Sequence, residues 1–195
     1  MLLDNPAMNR ADALSLLKEY VQSDSLIRHS LAVEACMRHY ATLLNGNPEI
    51  WGLIGLLHDF DYERFPEPPA HTREGAKILR QQNVSEEVIG AILSHADWNL
   101  ADYPRDQLAR KALFTVDELS GFVTAVAIVR PERMRGLKAK SVKKKMKAKG
   151  FAAAVSRDDI LEGAELIGMD LDQHISQVIE ALLASEETLG LTPPS

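Results

Sequence analysis

The chain has 195 residues and a single cysteine, Cys36. One cysteine excludes an intramolecular disulfide and any zinc site built from several cysteines. Because its neighbours include Ala and Met, we expect Cys36 to be a packed core thiol. No apolar run reaches the length of a membrane-spanning helix. The start MLLDNPAMNR has an acid and a proline where a signal peptide has a basic start and an apolar block, so we expect a cytoplasmic protein.

Period-two alternation, the pattern of a half-buried strand, is also lacking. Hydrophobic residues instead recur at three- and four-residue steps, which is typical of one face of an α-helix. The sequence therefore predicts an all-α fold in one domain. The predicted helices cover residues 25–44, 48–59, 72–82, 85–95, 105–129, 156–168 and 170–185, and the segments 45–48, 60–71, 96–104 and 130–150 are predicted loops.

Positive charge is scarce except in one segment. Ten of the 22 Lys and Arg residues but only one of the 28 acids lie in residues 130–149, so this segment carries +9 and the rest of the chain −15. Such a basic segment could contact a phosphate, a nucleic acid or another acidic partner. A solvated helical face or a loop explains it equally well. The segment has no aromatic residue for base stacking, so a nucleic acid is not the expected partner.

Imidazole and carboxylate groups occur in or against apolar helical segments. A buried carboxylate needs a cation or strong hydrogen bonds, so Asp59 and Asp117 need partners. Imidazole and carboxylate together are ligands that divalent metals use. The candidates along the chain are His29, His58, Asp59, His71, His95 and Asp117.

The order His29, His58-Asp59, Asp117 resembles the H…HD…D signature of the HD superfamily of metal-dependent phosphohydrolases. His71 in HTREGAKIL and His95 in AILSHAD match the two additional ligands of its dinuclear branch, which includes HD-GYP phosphodiesterases and mixed-valent di-iron oxygenases. The match covers about residues 23–125. The run HDFDYERFPEPPAHTREGAKIL, followed by DELSGF and IVRP, is similar to a bacterial group of predicted HD-superfamily hydrolases of the HDIG type.

The resemblance implies an HD-domain helical bundle over residues 1–195, with a core at 23–125, the basic segment 130–149 and a closing helical hairpin at 156–185. Its metal ligands would project inward from several helices. One or two divalent ions are implied, drawn from Mn, Fe, Ni, Co, Zn and Mg. The first would be held by His29, His58, Asp59 and Asp117, and Asp59 would bridge to a second held by His71 and His95. For His71 and His95 an exposed position near a loop remains an alternative.

The chain departs from the family directly after His58-Asp59. Many relatives continue with a small residue or glycine and then lysine, as in HDIGK, whereas this sequence continues FDYER. Asp61 could transfer a proton or orient a ligand histidine, and Arg64 could contact an anion. A solvated loop is an equally good explanation. His39 is expected at the surface, and His174 is expected to be structural.

The resulting hypothesis is hydrolysis of a small phosphate ester, with nucleotides among the candidates. A bound ion would lower the pKa of water, and Asp59 and Asp61 are the candidate catalytic residues. The basic residues after the Asp117 helix could fold over the site and bind the small phosphorylated molecule. A di-iron oxygenase with the same ligands and a metal-stabilised sensor or binding module are the alternatives, and the sequence does not indicate an oligomeric state. The candidate substrate-binding residues are Arg64, Arg130, Lys140 and Lys143.

Overall fold

The computed structural model describes residues 8–194. Over this range it contains nine α-helices, a short 3₁₀ helix and no strand, which confirms the all-α prediction. Most of the N-terminal sequence behind the cytoplasmic expectation lies outside the described residues. Within them, no helix combines the length and apolar character needed to cross a membrane. The helices are α1 (Arg10–Tyr20), α2 (Asp24–Leu43), α3 (Pro48–Leu57), α4 (Ala70–Gln81), α5 (Glu86–Ser94), the 3₁₀ helix (Asp97–Asn99), α6 (Leu108–Ile128), α7 (Ala139–Met146), α8 (Arg157–Leu166) and α9 (Leu171–Leu183).

Two helices differ from the sequence-based expectation. Helix α1 was not predicted, although Asn9 forms a capping box with Asp12, and Leu16 and Leu17 are buried. Helix α7 lies inside the predicted loop 130–150. Val142 is the fully buried residue of this helix, and lysines surround it in the sequence. The sequence therefore shows no apolar period that would indicate a helix.

The long helices α2 and α6 form the centre of the fold. Helix α2 packs against α3, α6 and α9, while α3 also contacts α1 and α5. Helices α8 and α9 both pack on α6, and α7 packs on α9. A continuous hydrophobic cluster runs from Ala13 in α1 to Leu191 after α9. Cys36 is fully buried in this cluster, as expected.

Helix α3 approaches α2 closely because of a glycine. A Cβ on Gly55 would lie 2.8 Å from the carbonyl oxygen of Val33, so a larger residue would push the two helices apart. Asn47 caps the start of α3 by accepting hydrogen bonds from two backbone amides, and Pro48 occupies its first turn. The helix ends at Leu57, which places His58 against α2 and ahead of a turn.

Two histidines lie outside the candidate site. His174 is fully buried, as expected of a structural residue: its Nε2–H donates to the Thr115 carbonyl at 3.1 Å, and the Tyr40 hydroxyl donates to Nδ1 at 2.6 Å. Burial lowers the pKa of His174 to about 4, against the raising effect of the Thr115 bond. The surface prediction for His39 was wrong, because this side chain is half-buried with Nε2 2.7 Å from Gln177 Oε1.

Candidate metal centre

The six predicted ligand side chains meet in one cluster with Asp59 in the middle. Asp59 Oδ2 lies 3.3 Å from His58 Nε2 and 3.9 Å from His29 Nε2. Its other oxygen, Oδ1, lies 3.3 Å from Nε2 of both His71 and His95. The carboxylate therefore presents one oxygen to each half of the cluster. The first half is His29, His58 and Asp117, and the second half is His71 and His95.

The first half contains an unusual contact between two imidazole nitrogens. Nε2 of His29 and Nε2 of His58 are 3.2 Å apart, and Asp117 Oδ1 lies 3.0 and 3.4 Å from them. His58 Nδ1 lies 2.8 Å from the Gly55 carbonyl, which can only accept, so Nδ1 carries a proton and Nε2 is the nitrogen left to bind a second proton or a metal ion. Two ring nitrogens at this distance need a proton on one of them or a shared cation, and they lie close enough together to bind one metal ion. This half therefore fits a metal ion.

The second half is fixed in the same tautomer. His71 Nδ1–H donates to Asp61 Oδ1 at 3.0 Å, and His95 Nδ1–H donates to the Ile92 carbonyl at 2.7 Å. In both rings Nε2 faces Asp59, where it can bind either a proton or a metal ion. A lone pair on Nε2 with the other nitrogen held by an acceptor is the usual state of a metal-binding histidine.

Asp61 is buried beneath His71 and is not among the residues that line the site cavity. Its Oδ2 accepts hydrogen bonds from the backbone amides of Thr72 at 2.8 Å and Gly75 at 2.9 Å. These bonds hold a break in α4, where Thr72 has φ of +66°, a strained value for a β-branched residue. Of the two roles considered for Asp61, the structure favours orienting a histidine over proton transfer.

Two residues that the sequence did not single out support the second half. Asn99 donates to the Thr72 hydroxyl at 2.8 Å and to the Leu93 carbonyl at 3.0 Å. Arg105 donates to the His95 carbonyl at 2.8 Å, and its guanidinium lies 3.8 Å from the ring centroid of Phe114. Both act through contacts with backbone carbonyls and neighbouring side chains that the sequence alone does not show.

The electrostatics of the cluster favour added positive charge. Burial acts to raise the pKa of the Asp59 and Asp117 carboxyls, but the charge of His58 and the hydrogen bonds to the histidines together outweigh it and lower both. Burial acts to lower the pKa of His58, yet the two carboxylates raise it well above its usual range. The pKa of His71 is raised to about 9 against the effect of burial, mainly by hydrogen bonds to Asp59 and Asp61. The same field attracts a metal cation.

A cavity of about 460 Å³ opens from the cluster. Tyr62 and Trp98 stand at its wall, each with its ring edge-on to His71. Across α6 and α8 the wall includes Glu118 and Asp159. Burial, and then Asp117, raise the pKa of Glu118. Among residues 8–194, no lysine or arginine lines this cavity.

The four basic residues predicted to bind substrate lie elsewhere, so the structure does not support a cationic clamp over this cavity. Arg64 turns toward α1, where its guanidinium lies 3.8 Å from the Tyr20 ring centroid. Arg130 donates to carbonyls of its own turn. Lys143 on α7 pairs with Asp172 on α9 at 2.6 Å. The residues that the cavity does not include are Arg64, Arg130, Lys140 and Lys143.

The described residues form an all-helical fold with His/Asp clusters that could hold metal ions, which is the class of helical metal-binding proteins. The chain belongs to the HD domain family, whose model matches residues 26–126. This confirms the resemblance found in the sequence. Among solved structures, the chain is similar to the HD domain of the phosphodiesterase PgpH of L. monocytogenes. The two are 16% identical, the alignment covers 91% of this chain and 98% of that one, and the TM-score is 0.46.

Proposed function

We propose that this HD-family protein is a divalent-metal-dependent hydrolase of small phosphate esters. The observation that carries the proposal is the placement of Asp59, with one carboxylate oxygen facing each half of a histidine cluster. We assign one ion to His29, His58, Asp59 and Asp117, and a second to Asp59, His71 and His95.

The donor set suits such ions. Imidazole nitrogen and carboxylate oxygen are ligands of borderline and hard divalent cations, and Nε2 of His29 and Nε2 of His58 lie close enough together to bind the same ion. Divalent ions, when bound, supply an activated water and stabilise negative charge on a phosphoryl group. The family assignment supports phosphate-ester chemistry.

The remaining residues of the site bind and position. Asp61 holds a proton of His71 on Nδ1, so that Nε2, which faces Asp59, is the nitrogen that would bind a metal ion. Tyr62, which follows Asp61 in the segment that departs from the HDxGK pattern, lines the cavity and packs edge-on against His71 at 5.1 Å between ring centroids. The FDYER segment therefore shapes the cavity, and its arginine is directed away from it.

The test begins with metal analysis of protein prepared without chelator. We expect two equivalents of divalent metal in the wild type and one in His71→Ala. The matched control is His39→Ala, which removes an imidazole outside the cluster and should retain both. A maximum of one equivalent in the wild type under all loading conditions would refute the dinuclear assignment.

Activity is then measured as phosphate release across nucleotides, sugar phosphates and smaller esters. We expect metal-dependent turnover of at least one of these classes. Absence of turnover with every ester, together with oxygen uptake by the iron-loaded protein, would exclude the hydrolase and favour an oxygenase that uses the same ligands.

A further inference from the structure

The cavity wall outside the metal-ligand cluster is acidic. Glu118 on α6 and Asp159 on α8 line it, and neither has an ion-pair partner among the described residues. Asp97 also lines it, but its carboxylate is paired with Arg105 at 2.7 Å. Two carboxylates thus face the cavity without a compensating basic side chain.

Glu118 is held in position by its neighbours. It follows Asp117 on α6, and its Oε2 accepts a hydrogen bond from the Ser156 amide at 2.9 Å. Ser156 caps α8, and its hydroxyl accepts from the Asp159 amide at 3.1 Å. The start of α8 therefore lies against Glu118, and Asp159 in its first turn lines the same cavity.

The wall beside the second half is aromatic. Tyr62 and Trp98 are 41% and 38% exposed, although both are large and partly apolar. Each ring packs against His71 in a T-shaped arrangement, at centroid distances of 5.1 and 6.0 Å. Aromatic rings and carboxylates both attract organic ammonium ions, and here they line the same cavity.

The two ends of a substrate would meet opposite conditions in this cavity. A phosphoryl group is matched by the cation-binding cluster. A second anionic group would lie against two carboxylates with no lysine or arginine in the described wall, which is unfavourable in a partly buried site. The volume of about 460 Å³ lies within the range of small-molecule sites.

Resting on the proposed hydrolase function, we propose that the substrate is a phosphate monoester of an amino alcohol, whose ammonium group lies against the Glu118 and Asp159 wall. In the reaction the oxygen of water becomes bonded to phosphorus, and the bond between phosphorus and the alcohol oxygen breaks. The alcohol oxygen takes up a proton, which gives the amino alcohol and inorganic phosphate. No redox change or further reactant is involved.

The experiment compares phosphocholine with its neutral isostere, in which a tert-butyl group replaces the trimethylammonium group. The two differ in charge and hardly in shape. With the metal-loaded full chain we expect kcat/KM for phosphocholine to exceed that for the isostere by about 10-fold or more, the size of one desolvated cation contact. Equal or faster turnover of the isostere would overturn the proposal.

Variants without the charges of the cavity wall test whether these residues cause the preference for phosphocholine. The double variant Glu118→Gln/Asp159→Asn should reduce the ratio of the two kcat/KM values to near one, and Gln can still accept from the Ser156 amide. Asp158→Asn, which removes a charge from the exposed side of the same helix turn, should keep the wild-type ratio. A double variant that retains the ratio would overturn the assignment of these residues.

Calorimetric binding of the same two esters separates this proposal from the hydrolase function. Preferential binding of phosphocholine without phosphate release from any ester would uphold the cationic ligand and refute hydrolysis. Phosphate release from several esters with equal binding of phosphocholine and its isostere would uphold hydrolysis and refute the cationic ligand. The cationic ligand and the hydrolase function can therefore fail independently of each other.

Discussion

The two halves of the cluster are held in place in different ways. His29, His58 and Asp117 lie on or directly after helices α2, α3 and α6, which pack against one another in the core. His71 instead lies at a break in α4, whereas His95 follows α5 as His58 follows α3. Packing of regular helices fixes the first half.

Hydrogen bonds of side chains fix the second half. Asp61 receives His71 Nδ1–H and two backbone amides, while Arg105 holds the His95 carbonyl. Polar contacts of this kind depend on single atoms, whereas a packed helix spreads its support over many contacts. We therefore expect the second half to be disturbed selectively by single substitutions. Asp59 is shared, and its removal should affect both halves.

Asp59→Ala should have the largest effect. Without the carboxylate that faces all four histidines, we expect loss of metal from both halves and a fall in activity of about 10³-fold or more, as for loss of a transition-state-stabilising group. Elemental analysis and phosphate release measure this, and far-UV circular dichroism checks the helical content. Asp102→Ala, at an exposed loop position, is the control. Unchanged metal content in Asp59→Ala would refute its role as a ligand.

Acid should lower the free energy of unfolding through His174, whose hydrogen bonds connect α9 to two helices of the first half. The folded-state pKa of this residue is about 4, below the unfolded value of about 6.5, so the unfolded chain binds the proton more tightly. Its contribution is therefore complete above about pH 6.5 and is lost as the pH falls to 4, by about 3 kcal/mol. Denaturant unfolding at several pH values measures this loss. His174→Gln should lack this component, and an identical pH profile in the variant would contradict the assignment.

Asp61→Asn should affect the second half alone. An amide cannot accept from His71 on one side and from the Thr72 and Gly75 amides on the other, because one of its two positions is a donor. We expect about 10- to 100-fold weaker binding of the second metal equivalent, as for other residues that orient a ligand histidine. Metal titration followed by calorimetry measures both equivalents.

A second variant should displace the same Asp61 carboxylate by a steric clash. A Cβ on Gly75 would lie 2.7 Å from Asp61 Oδ2, so Gly75→Ala should also weaken the second equivalent. Glu63→Gln is the control, because Glu63 binds backbone amides before α2 and is outside the cavity lining. Equal weakening of both equivalents in Asp61→Asn would remove the distinction between the two halves.

The difference between the two halves of the cluster also explains which parts of the site the sequence could predict. The helices that carry the first half have a clear apolar period, so their existence could be predicted from it, whereas the inward positions of His29 and Asp117 followed from the resemblance to the HD superfamily. The break at Thr72 and the support from Asn99 depend on contacts between residues distant in sequence, which no local pattern records. Helix α7 was missed for another reason, since its lysines dominate its composition.

The basic segment should matter least, although its charge made it the leading candidate for binding substrate. Lys143 pairs with Asp172 in an exposed contact, with 39% and 56% of the two side chains accessible, so its loss should change stability by less than about 1 kcal/mol. The double variant Lys140→Ala/Lys143→Ala should keep kcat/KM within about 2-fold, because neither residue lines the cavity. Phosphate-release kinetics at low and high salt measure this. A 10-fold loss that high salt reproduces in the wild type would show that long-range attraction by the basic segment aids substrate capture, since screening acts on exposed charges first.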